Sequence, residues 1–239
     1  MYDVTEYHFN KEECWFKHKC PFYNNCDHCH CGCGNYNKFY HLVGLANLPK
    51  YMTYPENQIL EPGKDANEHR YLEGIKDDIV NWVQEGNNLL LYSATCGNGK
   101  TTWAIKLMCK YFSMIMSEND LYTCRGLYIN VDEFLFDYKR NIEKKDARFT
   151  EMVDLIPTVD LVIWDDIGNT PLKDFDHGLL YGMINKRIAT GKSNIFTSNQ
   201  IDENMQRNIG YRLASRIIET SDIIEFINPS MRQPKCRRK

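Results

Sequence analysis

One segment of the sequence has the composition of a phosphate-binding loop. Residues 94–101 read Ala-Thr-Cys-Gly-Asn-Gly-Lys-Thr, which matches the pattern G-x-x-x-x-G-K-[ST] except that Ala94 replaces the first glycine. The two glycines let the backbone curl so that its N–H groups point at phosphate oxygens. Lys100 supplies a positive charge for the β- and γ-phosphates, and the Thr101 hydroxyl suits Mg²⁺. We therefore expect ATP and Mg²⁺ here, with contacts from Thr95, Cys96, Gly97, Asn98, Gly99, Lys100, Thr101 and Thr102.

A pair of carboxylates follows an apolar segment further along the chain. The run 161–164 ends in Asp165 and Asp166, and an apolar strand that ends in acidic residues is the second half of an ATPase site. We expect Asp165 to hold Mg²⁺ and Asp166 to orient and deprotonate the attacking water. The alternative for the two aspartates is a solvated acidic turn. The alternative for residues 94–101 is a glycine-rich turn that carries Lys-Thr by chance.

Three more polar residues fit an ATPase site. Asn199 comes two residues after the strand predicted over 194–197, so it would sit at the ligand edge of a sheet and position the attacking water. Arg212 and Arg216 are four residues apart and would share one helical face. A guanidinium supplied to the γ-phosphate of a neighbouring subunit stabilises transition-state charge, which predicts self-assembly with an arginine finger in trans. The alternative for Asn199 is an ordinary turn residue, and the alternative for the two arginines is a solvated basic face.

The N-terminal part of the chain is rich in cysteine. Of ten cysteines, six lie close together: Cys14, Cys20, Cys26, Cys29, Cys31 and Cys33. Zn²⁺ takes four thiolate or imidazole ligands in a tetrahedron, and a segment this poor in aliphatic residues needs a metal to fold. The crowding predicts Zn²⁺ held by four of the six, although another metal, an iron–sulfur cluster or free thiols remain as alternatives.

A later segment mixes aromatic and cationic residues. It contains Phe136, Tyr138, Lys139, Arg140 and Lys144. Bases of single-stranded DNA stack on aromatic rings while phosphates pair with cations, so these residues are candidates for DNA contacts. An amphipathic helix with a solvated basic face explains the same pattern equally well.

These residues must be held by an alternating set of elements. The periodicity predicts helices over 68–85, 101–116, 131–145, 175–190 and 208–219, and strands over 88–94, 127–131, 161–164, 194–197 and 223–227. Strands that alternate with helices indicate an α/β fold in which a parallel sheet is flanked by helices.

Length and composition limit the remaining choices. The chain has 239 residues, a net charge of −3 and 43% hydrophobic residues, which excludes a wholly disordered protein. No apolar run suggests a membrane span and the N-terminus does not resemble a signal peptide, so we expect a cytoplasmic protein without membrane partners. The change of composition predicts a cysteine- and histidine-rich zinc module over 1–48, a linker over 49–66, the main domain over 67–230 and a basic tail over 231–239.

The set of motifs resembles one family. The phosphate loop, WDDIG at 164–168, FTSN at 196–199 and the arginines of the segment 211–218 are together similar to the DnaC/DnaI type of replicative helicase loader, over roughly residues 66–230. That resemblance implies an AAA+ P-loop ATPase that places a hexameric replicative helicase on single-stranded DNA at replication initiation, with Asn199 as sensor 1 and Arg216 as the arginine finger. Some members carry an N-terminal zinc module that binds the helicase. The small size and the altered phosphate loop favour a phage member that works in the cytoplasm of its bacterial host.

Other functions remain open at the level of sequence. A similar ATPase core serves IstB-like helpers of DNA transposases, which act on duplex DNA. A phosphotransferase or nucleotide-binding regulator would use the same phosphate loop without a neighbouring subunit. A zinc-binding adaptor would need no hydrolysis, and normal function after Lys100→Ala would indicate it.

Overall fold

The core of the molecule is a five-stranded parallel sheet. The computed structural model describes residues 33–116 and 123–231. The strand order is β2-β3-β4-β1-β5, and every neighbouring pair is parallel. The strands are β1 (Asn88–Tyr92), β2 (Gly126–Asn130), β3 (Leu161–Asp165), β4 (Ser193–Ser198) and β5 (Asp222–Glu225). The predicted parallel α/β sheet is therefore confirmed.

Helices cover both faces of this sheet. In the described chain they are α1 (Gly34–Leu45), α2 (Ala66–Asp77), α3 (Ile79–Gln84), α4 (Lys100–Ile115), α5 (Val131–Lys144), α6 (Ala147–Leu155), α7 (Asp174–Ala189), α8 (Asp202–Ile209) and α9 (Tyr211–Thr220). Successive strand residues alternate between the two faces. Leu89 and Leu91 pack in one core, which includes α1, α2, α3 and α4, whereas Leu90 packs in the other, which includes α5, α7 and α9. Burial on both faces explains why β1 and β3 read as continuous apolar runs.

The helices differ from the predicted ones at several places, and α1 and most of α8 were not predicted as helices. The helix predicted over 68–85 is interrupted at Asp78, where φ is −114° and ψ is 29°. The helix predicted over 208–219 is two helices, because Gly210 adopts a φ of 79° between α8 and α9. The short helix α6 was not predicted; the Asp146 side chain caps it by accepting hydrogen bonds from the N–H groups of Arg148 and Phe149.

The described part of the predicted module and linker belongs to the main core. Helix α1 buries Tyr36, Phe39 and Tyr40 among residues of α4. Three short 3-10 turns follow, at Lys50–Thr53, Pro55–Gln58 and Gly63–Asp65. Residues 33–66 thus pack on the sheet domain, where the sequence predicted a zinc module up to residue 48 and a linker to residue 66. Aromatic side chains of α1 supply much of the apolar surface that this segment buries.

None of the helices in residues 33–116 and 123–231 combines the length and the apolar composition needed to span a membrane.

Candidate nucleotide site

The phosphate loop, the two aspartates and Asn199 converge at one edge of the sheet. Strand β4 lies between β1 and β3, so the carboxyl ends of these three strands are neighbours. The phosphate loop leaves β1, Asp165 ends β3, and Asn199 follows β4. In parallel α/β sheets this edge is where ligands bind. Segments far apart in sequence therefore meet around the start of α4.

The phosphate loop is held in a curled conformation by its own side chains. Gly97 and Gly99 have φ values of 80° and 101°, which residues with a Cβ rarely adopt. The Ser93 hydroxyl oxygen accepts hydrogen bonds from the Thr95 N–H at 3.1 Å and from the Asn98 amide at 2.5 Å. Lys100 donates to the Thr95 carbonyl at 3.2 Å and the Asn98 amide oxygen at 3.3 Å. The lysine ammonium therefore lies across the loop, where a phosphate would meet it.

The Asp165 carboxylate is surrounded by hydroxyl groups. Thr101 and Thr197 donate to its Oδ1 at 2.8 and 2.7 Å, and Tyr128 donates to its Oδ2 at 2.7 Å. The side chain is only 3% exposed, so these bonds fix its orientation. Carboxylate and hydroxyl oxygens in contact form a donor set suited to Mg²⁺. Thr101 and Asp165 are the residues that could hold the ion.

Asp166 differs from its neighbour in backbone and in electrostatics. Its φ of 60° lies in the left-handed region, which costs about 1 kcal/mol or more for a residue other than glycine. The Asp166 N–H donates to the Thr197 hydroxyl at 2.9 Å, and Asn169 donates to its Oδ1 at 3.0 Å. Burial, together with the adjacent Asp165, raises the pKa of Asp166. A carboxylate with a raised pKa is a better proton acceptor near neutral pH.

Asn199 is connected to the acidic pair through one side chain. The Asn199 N–H donates to the Asn169 side-chain oxygen at 3.2 Å, while the amide of Asn169 reaches Asp166. The backbone also joins the two loops, because the Ile167 N–H donates to the Thr197 carbonyl at 2.9 Å. The residue after β4 is thereby held beside the acidic end of β3.

The two arginines lie on α9, and neither guanidinium group has a partner among the described residues. Arg212 is exposed and Arg216 is half-buried. Nothing in residues 33–116 and 123–231 forms an ion pair or side-chain hydrogen bond with either guanidinium, and the Nε of Arg216 is buried without an acceptor. The structure therefore does not join these arginines to the phosphate loop of their own chain.

The candidates for DNA contacts on α5 divide into two groups. Phe136 is 61% exposed, and the Arg140 guanidinium lies 5.4 Å from its ring centroid. Lys144 is also exposed. Lys139 instead forms an ion pair with Asp176 at 2.6 Å, and the Tyr138 ring packs beside those of Phe134, Phe149 and Phe175. Tyr138 and Lys139 are thus engaged with other elements of the fold, and Arg140 also lies 3.7 Å from the Asp137 carboxylate on its own helix.

The predicted zinc ligands lie almost entirely outside the described residues. Cys14, Cys20, Cys26, Cys29 and Cys31 are outside them, as is the basic tail beyond Met231. Cys33 caps α1, where its Sγ accepts a hydrogen bond from the Tyr36 N–H at 3.4 Å. Within the ranges 33–116 and 123–231, no cluster of three or more His, Cys, Asp or Glu side chains suits a metal ion.

Three residues of this site were not predicted from the sequence. They are Tyr128, Thr197 and Asn169, which hold Asp165 and Asp166 in place. Thr197 lies within the quoted FTSN segment, and its position near the end of β4 was a usable signal. Tyr128 is a strand tyrosine and Asn169 a turn asparagine, and neither type distinguishes a site residue from an ordinary one.

Comparisons with known proteins agree with this geometry. The family model of the IstB-like ATP binding protein matches residues 35–239. The crystal structure of the DnaC helicase loader is 20% identical with a TM-score of 0.53, covering 66% of this chain and 89% of that one. The structure of DnaI is 19% identical with a TM-score of 0.54, covering 70% and 84%.

A third similar structure belongs to a replication initiator. AMPPCP-bound DnaA from Aquifex aeolicus is 20% identical with a TM-score of 0.56, and the match covers 74% of this chain and 50% of that one. At these identities the structural likeness shows the fold. No curated protein matches the sequence significantly. Because the family model spans most of the chain and its phosphate loop and acidic strand meet at one edge of the sheet, this chain belongs to the IstB-like ATP-binding proteins.

Proposed function

We propose that the protein hydrolyses ATP at the carboxyl edge of its sheet. The observation that carries the proposal is the contact of Thr101 with Asp165, with Asp166 directly after it at the carboxyl end of β3. Lys100 and the loop N–H groups bind the phosphates, and Asp166 accepts the proton of the attacking water, which Asn199 helps to orient. Thr101 and Asp165 would hold Mg²⁺, which neutralises phosphate charge when bound.

Lys100→Ala and Asp166→Asn test this assignment separately. We expect Lys100→Ala to lose ATP binding, because the loop then lacks its cation. Asp166→Asn keeps the loop intact, so it should bind ATP while phosphate release falls steeply. Normal turnover in Asp166→Asn would contradict the role of Asp166 as the base.

The cellular role we propose is loading of a replicative helicase. ATP binding would favour capture of single-stranded DNA and of a hexameric helicase, and hydrolysis would release the loader. The DnaC structure is that of a helicase loader, the motifs of this chain resemble the DnaC/DnaI type, and the matches cover most of the DnaC and DnaI chains. Arg216, with Arg212 as its accessory, would reach the γ-phosphate of a neighbouring subunit, which fits their lack of partners in the described chain.

The assembly site can be tested by mixing subunits. Arg216→Ala subunits supply an intact phosphate loop but no finger, whereas Lys100→Ala subunits supply a finger but bind no ATP. Mixtures of the two should recover part of the ATPase rate that neither has alone. Full activity of Arg216→Ala alone, at every concentration, would contradict a finger acting in trans.

Single-stranded DNA would contact the exposed face of α5. Phe136 offers a ring for base stacking, and Arg140 and Lys144 offer charge for the backbone. Phe136→Ala should weaken binding of an oligothymidylate about tenfold, since one stacked base contributes about 1–3 kcal/mol. Lys139→Met is the matched control, because its ammonium is already paired with Asp176. Equal effects of the two variants would exclude α5 as the stacking surface.

The second candidate function is assistance of a DNA transposase. It is favoured by the family match itself, which covers residues 35–239. Such a protein would bind duplex DNA and the transposase rather than single-stranded DNA and the helicase.

Measuring the mass of complexes by light scattering decides between the two. The full chain with ATP is mixed with the host replicative helicase, and separately with duplex DNA and the transposase of a neighbouring gene. A stable complex with the helicase supports loading, and no complex despite folded partners contradicts it. Complex formation only with duplex DNA would assign the transposition role.

The predicted zinc module would be the part that docks on the helicase. Its ligands would be four of Cys14, Cys20, Cys26, Cys29, Cys31 and Cys33, because thiolates are the preferred ligands of structural Zn²⁺. Elemental analysis of the purified chain should give about one Zn²⁺ per chain. Cys26→Ser with Cys29→Ser should lose the zinc and the helicase complex while ATP binding persists. A chain without zinc that still binds the helicase would contradict this role.

A further inference from the structure

Two segments that flank the sheet domain are tied together. The buried Asp65 carboxylate, just before α2, accepts hydrogen bonds from the N–H groups of Ile227 at 2.8 Å and Asn228 at 3.2 Å, just after β5. The Asn228 side chain forms reciprocal hydrogen bonds: its amide donates to the Pro62 carbonyl at 2.7 Å, and its Oδ1 accepts from the Lys64 N–H at 2.9 Å. We call these contacts between residues 62–65 and 227–228 the clasp.

The segments held by the clasp continue onto the phosphate loop. The Met231 N–H donates to the Gly97 carbonyl at 2.9 Å, and the Asn98 amide donates to the Phe226 carbonyl at 3.4 Å. Leu60 and Met231 also approach Gly99, since a Cβ built there would lie 3.0 Å from Leu60 Cδ2 and 3.2 Å from Met231 Cε. Both flanking segments therefore contact the part of the loop that binds phosphate.

The geometry of a phosphate loop gives these contacts a function. When successive N–H groups turn inward to a phosphate, the carbonyls between them turn outward and need donors of their own. Met231 provides that donor for the carbonyl of Gly97. The donor is placed by Asn228 and Asp65, because the segment 229–231 runs on directly from the clasp. The loop conformation thus depends on residues about 30 positions before it and more than 120 after it.

We propose that the clasp positions the phosphate loop for nucleotide, with Asp65 and Asn228 as positioning residues that act through Met231. The proposal rests on nucleotide binding at this loop and not on helicase loading, so failure of the loading role leaves it intact. Breaking the chain of contacts should weaken ATP binding without removing any group that touches the phosphates.

The most direct test removes one backbone hydrogen-bond donor. Met231→Pro lacks the N–H that reaches Gly97, whereas Met231→Ala keeps that N–H and loses only the side chain over Gly99. Titration of the full chain with a fluorescent ATP analogue should show a Kd raised about fivefold in Met231→Pro, the effect of one hydrogen bond. Met231→Ala should stay closer to the parent Kd.

A second variant acts at the far end of the clasp. In Asp65→Asn one carboxylate oxygen becomes an amide that faces an N–H donor, so the tie to 227–228 loosens while the loop sequence is unchanged. We expect a similar loss of affinity. The unfolding temperature is measured for each variant with and without the analogue, because a purely structural tie would lower both values by the same amount.

The outcomes separate the hypotheses. A smaller nucleotide-induced rise in unfolding temperature in Met231→Pro and Asp65→Asn supports the proposal. Parent-like Kd values in both folded variants would overturn it, as would equal losses of stability with and without nucleotide. A parent chain that binds no ATP analogue would overturn the phosphate-loop assignment and the clasp proposal together.

Discussion

The two ends of the same sheet use buried polar groups in opposite ways. At the carboxyl end, Asp165 and Asp166 place adjacent negative charges in a strained turn, and burial raises the pKa of Asp166. At the amino end, the fully buried Arg187 donates to the Ile156, Val159 and Ser193 carbonyls at 2.6–2.8 Å and to the Asn194 side chain at 2.8 Å.

The two edges differ in how fully the hydrogen-bonding needs of their buried polar groups are met. Burial lowers the pKa of Arg187 to about 9, yet at neutral pH the guanidinium is still protonated and surrounded by acceptors. A fully satisfied polar network fixes one arrangement of strands and loops. At the carboxyl end, two like charges are adjacent and one aspartate has a left-handed backbone. Both features lower the stability of the fold, but they leave a proton acceptor in place. One edge stabilises the fold, and the other is where we propose that ATP is hydrolysed.

The largest expected effect is on the stabilising edge. Arg187→Met should lower the free energy of unfolding by about 3 kcal/mol or more, because several buried carbonyls lose a charged donor at once. Urea denaturation measures it, with Lys186→Met as the exposed neighbour on the same helix. A loss below about 1 kcal/mol would show that the carbonyls find other donors and would remove the basis of the comparison.

The next effect is on chemistry rather than stability. Asp166→Asn should lower ATP turnover about 100-fold or more, the usual contribution of a general base. Steady-state phosphate release checks it, and Asp174→Asn, an exposed aspartate at the start of α7, is the control. In the parent, turnover should fall as the pH drops through the raised pKa of Asp166, because the protonated acid cannot accept a proton. A turnover that does not fall in acid while the chain stays folded would argue against this base.

Two tyrosines allow a matched pair of smaller changes. Tyr128 donates to Asp165 at 2.7 Å at the carboxyl edge, and Tyr111 donates to Asp160 at 2.9 Å at the amino edge. Tyr128→Phe should raise the Mg²⁺ concentration needed for half-maximal ATPase activity about fivefold, since Asp165 loses one orienting bond. Tyr111→Phe should affect only stability. If the two variants shift the Mg²⁺ dependence equally, Tyr128 does not orient Asp165.

The smallest effects are opposite pH dependences of stability. Burial alone would raise the pKa of Asp160, but hydrogen bonds from Arg125 and Lys192 hold it below its usual range. Asp160 therefore stabilises the fold above its unfolded-state pKa, and this is lost as the pH falls through its lowered folded value. For Asp166 the raised folded pKa makes ionisation costly, so stability falls as the pH rises from the unfolded value through the raised one.

Denaturation at several pH values measures both signs. At pH 7, Asp160→Asn should be less stable than the parent and Asp166→Asn more stable. Near pH 3, where carboxyl groups become protonated, both differences should shrink. If Asp166→Asn is less stable than the parent at pH 7, the charge of Asp166 does not destabilise the folded chain.

Local patterns were sufficient for the sheet and the phosphate loop. β1, β3 and α4 were predicted within about two residues of their bounds, because apolar runs and helical spacing are local signals. The order of strands, which puts β4 between β1 and β3, is a long-range pairing that no local pattern contains. The break at Asp78 and the core position of α1 were missed for the same reason.

The sequence by itself determined which chemical groups this protein brings to its candidate site. The residue types of 97–101 and 165–166 predict phosphates, a divalent cation and a proton acceptor wherever the chain folds, since these properties belong to the side chains. The tertiary structure decided how those groups are held: Tyr128, Thr197 and Asn169 orient the carboxylates, and the clasp places Met231 on the loop. Contacts between distant segments arise from packing and strand order, because only the folded chain brings them within hydrogen-bonding distance.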